Sequence, residues 1–90
     1  MRFALMTKDK PNDLQTRLDN RDAHLAYIAE TGVVEMAGPV LDDADQMCGS
    51  LIVLEVADLA AAQTWAANDP YAKAGLFSDV TLRAWKKVIG

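Results

Sequence analysis

The chain has 90 residues, which is room for one hydrophobic core, so we expect a single domain over residues 1–90. Hydrophobic residues make up 51% of the chain and charged residues 24%, a mixture that excludes a disordered chain or a coiled-coil rod. Nine Lys and Arg against thirteen Asp and Glu give a formal net charge of −4. That sign is opposite to what binding to a phosphate backbone requires, so nucleic acid is excluded as an expected partner.

Cysteine and histidine each occur once. Cys48 has no intrachain disulfide partner, and one Cys with one His cannot supply the ligands of a typical zinc site, so we expect no metal and a reducing compartment. The apolar run Met1–Met6 is shorter than the core of a signal peptide, about 7 to 15 residues. No stretch approaches the roughly 20 apolar residues that span a bilayer, which favours a cytoplasmic protein without membrane contact.

The first third of the chain predicts a strand, a loop and a helix. Met1–Met6 is short and apolar, and the charged, proline-containing residues 8–13 that follow are typical of a turn and a helix N-cap. Helical periodicity without Pro or Gly then runs from Asp13 to about Thr31. Gly32 ends this helix, because a residue that tolerates positive φ commonly follows the last helical turn.

The apolar residues of this helix predict which of its faces is buried. They recur at steps of four, three, four and three, with one charged residue among them: Leu14, Leu18, Arg21, Leu25 and Ile28. Arg17, Arg21 and His24 then line the edge of the buried stripe.

The remaining elements follow in the order strand, strand, helix, strand. Val33–Val40 predicts a strand, a polar loop spans 41–46, and Cys48–Val56 is an apolar run with both faces covered. Asp58 is the predicted N-cap of a helix over Leu59–Asn68, which Pro70 ends. The predicted inner face of that helix consists of Leu59, Ala62, Ala66 and Asp69. Phe77–Lys87 alternates in polarity and predicts the last strand.

The resulting order, β-α-β-β-α-β, is that of a ferredoxin-like α+β fold with an antiparallel sheet. Two helices cover only one face of a four-stranded sheet, yet the third and fourth strands carry apolar residues on both faces. An identical subunit is the simplest cover for the open face. We therefore predict a homodimer formed through that face.

His24 is the only side chain that titrates near neutral pH without help, so proton-transfer chemistry points to it. Asp69 is a candidate partner, because both residues lie at the inner edges of helices that share one sheet face. A carboxylate bonded to one imidazole nitrogen would leave the other nitrogen free as a general acid or base. The alternatives are a packing role for His24 and a turn-forming role for Asp69 before Pro70.

Three further residues are candidate substrate-binding groups. Arg21 can bind a substrate carboxylate or phenolate through its planar fork, or instead extend into solvent or pair with a nearby Asp. Ser50 and Tyr71 are candidate pocket groups without an assigned catalytic role. No spacing typical of a nucleophilic triad is present, and no Gly-rich run opens a helix.

Several short motifs resemble the YCII-related (YciI-like) family, and the resemblance extends over nearly the whole chain. The motifs are Arg21-Asp22-Ala23-His24-Leu25, Ala37-Gly38-Pro39, Gly49-Ser50, Asn68-Asp69-Pro70-Tyr71 and Trp85. The resemblance implies a dimeric α+β barrel and an active site made of the helix histidine, His24, and the aspartate before proline, Asp69. The wider superfamily that the chain resembles includes lactone isomerases, dehydrochlorinating lyases, cyclases, monooxygenases and haem enzymes, and fold does not select among these.

Two hypotheses of different classes follow. In the first, the chain is a small-molecule enzyme of lyase or isomerase type, in which His24 and Asp69 transfer a proton on a hydroxylated or cyclic substrate and Arg21 holds an anionic group. In the second, it is a non-catalytic dimeric module that binds a metabolite or has a regulatory role. No cofactor is expected in either case, since the only histidine is already assigned and a haem would need it.

Overall fold

A computed structural model describes residues 1–90 as a four-stranded antiparallel sheet with three helices. The elements follow in the order β1 (Arg2–Asp9), α1 (Leu14–Thr31), β2 (Val34–Leu41), β3 (Met47–Glu55), α2 (Leu59–Asn68), α3 (Pro70–Lys73) and β4 (Phe77–Ala84). The strands lie in the order β2-β3-β1-β4. This is the predicted ferredoxin-like α+β architecture, with one short helix, α3, that the sequence did not predict.

The hydrophobic core lies between the helices and one face of the sheet. Phe3 of β1 is opposite Leu54 of β3, and Leu5 is opposite Ile52, so these four side chains point to the same face. Ala62 and Trp65 of α2 complete the buried cluster. Trp65 also donates a hydrogen bond from Nε1 to the Thr31 hydroxyl at 2.9 Å, which ties α2 to the end of α1.

Two strand boundaries differ from the prediction. β1 continues to Asp9 instead of ending at Met6, because its polar second half, through Lys8, still pairs with β3. β4 ends at Ala84 instead of Lys87, because Ala84 is paired with Phe3 and β1 extends only one residue further, to Arg2. Hydrophobicity marks the buried parts of a strand, whereas the available partner decides its length.

The predicted buried stripe of α1 is confirmed at Ile28, which packs against the core, and is wrong at its three central positions. Leu18 and Leu25 are each 46% exposed and Arg21 is exposed, while Arg17 and His24 are the buried residues of this helix. The helix is therefore rotated relative to its apolar periodicity. Both buried residues have ionic partners, and a buried polar group that is fully bonded can replace an apolar one at a helix interface.

The predicted ends of both long helices are confirmed. Gly32 adopts φ 66° and donates its N–H to the carbonyl of Ile28 at the end of α1. Asp58 accepts from the backbone N–H of Ala61 at the start of α2. The inner face of α2 was predicted in part, since Ala62 is buried as expected but Leu59 is 46% exposed.

The other face of the sheet carries no helix, and it presents apolar side chains beside charged ones such as Lys8 and Arg83. Four hydrophobic side chains on it are between 41% and 52% exposed: Met6, Met36, Val40 and Leu51. Their placement follows from the register, because Leu51 is opposite Met6 and alternates with the core residue Ile52. We refer to these four residues as the open sheet face.

None of the helices is both long and apolar enough to cross a membrane.

Candidate active site

A cleft of about 170 Å³ lies between α1 and the β2–β3 edge of the sheet. One wall is formed by α1 residues, including Arg17, Arg21 and His24, and the opposite wall by Ala37-Gly38-Pro39 of β2. Ser50 of β3 and Tyr71 of α3 also line it. Pockets for drug-sized ligands typically measure about 300–1,000 Å³, so this cleft has room only for a smaller molecule.

His24 and Asp69 meet at the cleft, although 45 residues separate them in the chain. Nδ1 of His24 donates to Oδ1 of Asp69 at 2.7 Å, and the two side chains are 8% and 0% exposed. A carboxylate only accepts hydrogen bonds, so this contact assigns the imidazole proton to Nδ1 when the ring is neutral. Nε2 is then an unprotonated nitrogen with no bond to the protein, and His24 lines the cleft.

One oxygen atom of Asp69 serves both roles predicted for this residue, the bond to His24 and the turn before Pro70. Pro70 restricts the preceding residue to an extended backbone, and Asp69 has φ −59° and ψ 130°. In this conformation Oδ1 also accepts from the backbone N–H of Tyr71 at 3.0 Å and so caps α3. The turn-forming role of Asp69 therefore fixes the carboxylate that orients His24, while Oδ2 is buried without a hydrogen-bond partner.

Tyr71 is held between the two buried residues of α1. Its ring stacks on the His24 ring with centroids 4.0 Å apart and planes inclined by 15°, and the Arg17 guanidinium carbon lies 4.6 Å from its centroid. Seven residues rise about 10 Å along a helix, which leaves space for one ring between Arg17 and His24. Burial raises the pKa of the Tyr71 hydroxyl despite the opposing charges of Arg17 and Arg21, so this hydroxyl is neutral at pH 7.

Arg17 is a site residue to which the sequence analysis assigned no function. Its Nε and Nη2 atoms donate to the two carboxylate oxygens of Asp9 at 2.8 and 2.9 Å, and Nη2 also donates to the Ser50 hydroxyl at 2.9 Å. Burial lowers the pKa of Arg17, but the hydrogen bonds and charge of Asp9 more than offset this effect, so the pKa lies above its ordinary value. The sequence does contain a signal for Arg17: it lies seven residues before His24, and this spacing places both side chains on the same face of the helix.

All five predicted site residues lie at or directly behind the cleft. His24, Arg21, Ser50 and Tyr71 line it, and Asp69 lies behind His24. Arg21 is exposed and forms no ion pair, so its charge is free at the mouth of the cleft. No group of three or more His, Cys, Asp and Glu side chains is placed to hold a metal ion.

The sequence was compared with families and with known relatives. Residues 1–86 match the model of the YCII-related domain. An uncharacterized protein of Haemophilus influenzae is 35% identical, with 98% of this chain and 99% of that protein covered. The protein YciI of Escherichia coli O6:H1 is 36% identical over the same shares of both chains.

Two solved structures resemble this chain to different degrees. The 5-chloro-2-hydroxyhydroquinone dehydrochlorinase of Burkholderia phenoliruptrix AC1100, solved in complex with 2,5-dihydroxybenzoquinone, is 36% identical, with a TM-score of 0.87 and coverage of 96% of this chain and 94% of that chain. An antibiotic biosynthesis monooxygenase is only 14% identical, with 98% of both chains covered and a TM-score of 0.61, a likeness that concerns the fold alone. On the family match and the two relatives, the chain belongs to the YCII-related domain family.

Proposed function

We propose that this protein is a small-molecule enzyme of lyase or isomerase type, in which His24 removes or delivers a proton on a hydroxylated cyclic substrate. The observation that carries the proposal is the buried bond between His24 Nδ1 and Asp69, which leaves Nε2 as a free base at the cleft. A histidine with this arrangement has the orientation and tautomer required for general acid and base catalysis.

The likeness to the dehydrochlorinase supports a phenolic or quinone-like ring as the substrate. The dimensions of the cleft agree, because 170 Å³ suits one small ring. Tyr71, Ser50 and Arg21 surround that space as binding groups, and the free charge of Arg21 at the mouth favours an anionic substituent.

The proposed chemical step is a proton transfer to Nε2 of His24. Nε2 takes a proton from one ring hydroxyl and returns it to the ring carbon that bears the leaving group, which makes that carbon tetrahedral. Nε2 then takes a proton from a second hydroxyl, and the electron pair that remains expels the leaving group, such as chloride, as an anion and leaves a quinone. Asp69 stabilises the imidazolium that forms. In an isomerisation, the same ring nitrogen returns the proton to another atom of the substrate, so no leaving group is needed.

The test is chloride release from 5-chloro-2-hydroxyhydroquinone by the wild-type protein and an Asp69→Asn variant. The amide keeps the shape of the side chain but removes the charge, and we expect kcat to fall by about 10² to 10⁴. Asp43→Asn is the matched control, because Asp43 is exposed in the β2–β3 turn and should leave turnover unchanged. Equal turnover in Asp69→Asn and wild type would refute the role of Asp69.

The test also separates the enzyme from a non-catalytic binding module. Saturable binding without turnover across phenols, lactones and keto acids would favour the module.

The single cysteine, Cys48, is free, and we retain a cytoplasmic location as part of the proposal.

We further propose that two chains associate through the open sheet face. Contiguous exposed apolar surface of this kind is typical of an interface, and a two-fold axis would place the same four residues of both chains in contact. Light scattering should give twice the chain mass for the wild type at micromolar concentration. Leu51→Glu should give a monomer, while Leu59→Glu, at an equally exposed leucine on α2, should remain dimeric. A monomeric wild type would refute the interface.

A further inference from the structure

The two long helices, α1 and α2, are joined by a closed ring of three hydrogen bonds. The Tyr27 hydroxyl of α1 donates to the backbone carbonyl of Trp65 on α2 at 2.8 Å. The indole Nε1 of Trp65 donates to the Thr31 hydroxyl oxygen at 2.9 Å, and the Thr31 hydroxyl donates to the backbone carbonyl of Tyr27 at 2.9 Å. Each of these three residues therefore donates once and accepts once within the ring. We call them the helix clasp.

The helix clasp lies beside both members of the candidate dyad. Tyr27 follows His24 by three residues on α1, so the two are about one helical turn apart. Trp65 precedes Asp69, the C-cap of α2, by four residues, which is again about one turn. The two bonds made by Trp65 are also the hydrogen bonds that connect α1 directly with α2. The separation of the helices at His24 and Asp69 is therefore set one turn away, at the helix clasp.

The bond between His24 and Asp69 depends on this separation because the carboxylate is held through one oxygen. Oδ1 of Asp69 accepts from His24 Nδ1 at 2.7 Å and from the backbone N–H of Tyr71 at 3.0 Å, while Oδ2 has no hydrogen-bond partner. Tyr71 lies in the segment that follows α2, so its N–H fixes the carboxylate relative to α2 and not relative to α1. A displacement of about 1 Å in a catalytic arrangement can cost about a hundredfold in rate.

The Tyr27 hydroxyl remains a hydrogen-bond donor at neutral pH. Burial raises its pKa above the ordinary value, and the negative charge of Asp69 raises the pKa further. The Tyr27 ring lies 4.9 Å from the Trp65 ring, with the two planes inclined by 36°, and both rings pack at the hydrophobic core. The donor is therefore held in place by the packing of its own ring as well as by its bond to α2.

We propose that the helix clasp positions the His24–Asp69 pair by holding α1 and α2 at the separation at which Nδ1 of His24 reaches Oδ1 of Asp69. The inference rests on the proposed function, in which this pair transfers the proton. No residue of the helix clasp lines the cleft, so its members do not contact the substrate. They are positioning residues that act through His24 and Asp69, and they affect the rate of proton transfer and not substrate binding.

The experiment measures chloride release from 5-chloro-2-hydroxyhydroquinone by Tyr27→Phe, which removes the hydroxyl and keeps the ring. We expect kcat to fall by about twofold to tenfold, the range for one hydrogen bond between neutral groups, with KM unchanged because the cleft walls are intact. Thr31→Val should also lower kcat, since it removes both bonds of the Thr31 hydroxyl with little change in shape. Thr16→Val is the matched control, because the Thr16 hydroxyl bonds to Asp13 at the other end of α1, and its kcat should match the wild type.

The imidazole ¹⁵N resonances of His24 supply a second readout that requires no turnover, and the single histidine makes their assignment unambiguous. In the neutral ring of the wild type, the bond to Asp69 keeps the proton on Nδ1, so the two nitrogens should have widely separated chemical shifts. A weaker bond lets the proton occupy Nε2 for part of the time, so Tyr27→Phe should bring the two shifts closer together. Thr16→Val should leave them unchanged. A merely structural loss would lower the stability of the fold without moving these shifts.

Wild-type ¹⁵N shifts in both Tyr27→Phe and Thr31→Val would overturn the positioning role, because any effect on rate would then bypass the pair. A rise in KM at unchanged kcat would overturn it as well. Should Tyr27→Phe fail to fold, Thr31→Val decides the same question, since Thr31 is exposed and its replacement leaves the core intact.

The outcomes for the helix clasp remain distinct from those for the proposed function. Shifted His24 resonances in Tyr27→Phe, with equal turnover in Asp69→Asn and wild type, would retain the positioning role and reject proton transfer by the pair. Unshifted resonances in Tyr27→Phe, with a large loss of turnover in Asp69→Asn, would retain the proposed function and reject the positioning role.

Discussion

The chain contains two Arg–carboxylate pairs with the same bond lengths and different burial, and this difference allows the cost of burial to be measured. Arg17 donates to Asp9 at 2.8 and 2.9 Å, and Arg2 donates to Glu35 at 2.8 and 2.9 Å. The side chains of the first pair are 3% and 5% exposed, against 33% and 23% for the second. We predict that neutralising the acid costs far more stability in the first pair.

Asp9→Asn leaves the charge of Arg17 in the interior without its counter-ion, which costs about 3 to 5 kcal/mol. A domain of this length has a total free energy of unfolding of about 5 to 14 kcal/mol, so the loss is a large part of it. With a urea slope of about 1 to 3 kcal/mol per molar, the midpoint should fall by at least about 1 M. Glu35→Gln removes an equivalent pair at the surface, where water screens the charges, and should shift the midpoint only slightly.

The assay is urea unfolding followed by circular dichroism, at one protein concentration because association would alter the midpoint. Equal shifts in Asp9→Asn and Glu35→Gln would refute the argument that burial controls the cost. A third variant, Asp9→Leu with Arg17→Met, removes both charges together. It should recover most of the lost stability, because the penalty arises from the unpaired charge and not from the absence of the pair.

Two further predictions concern stability. The hydrogen bond from Arg2 holds the pKa of Glu35 below its ordinary value, so this carboxylate contributes stability above its unfolded pKa of about 4.3 and loses it as the pH falls through its folded pKa. The difference in urea midpoint between wild type and Glu35→Gln should therefore shrink from pH 7 to pH 3, and a constant difference would contradict this cause. At Gly49, a methyl group would meet the backbone carbonyl of Thr7 on β1, so Gly49→Ala should cost about 1 to 3 kcal/mol in urea unfolding. Gly38→Ala is the control, since nothing lies near a Cβ there, and equal stability of the two variants would contradict the steric argument.

The order of elements and the ends of the helices were predictable because their causes are local. Asp58 caps α2 and Gly32 ends α1 through bonds to residues three or four positions away. Alternation and helical periodicity likewise depend on neighbours within a few residues. The candidate site residues His24 and Asp69 were identifiable because one is the only histidine and the other falls on the predicted inner face of the second helix.

The rotation of α1, the length of β1 and the partner of Arg17 were decided by the tertiary structure. Hydrophobic periodicity placed Leu18 and Leu25 inside, but α1 instead turns Arg17 and His24 inward, toward polar partners that are distant in the sequence. Arg17 meets Ser50 across 33 residues, and His24 meets Asp69 across 45. By itself the sequence determined which residue types were available for a proton-transfer site. Only the packing of α1 on the sheet decided which of them are buried together, because a charged side chain is tolerated in the interior only when its partner is buried beside it.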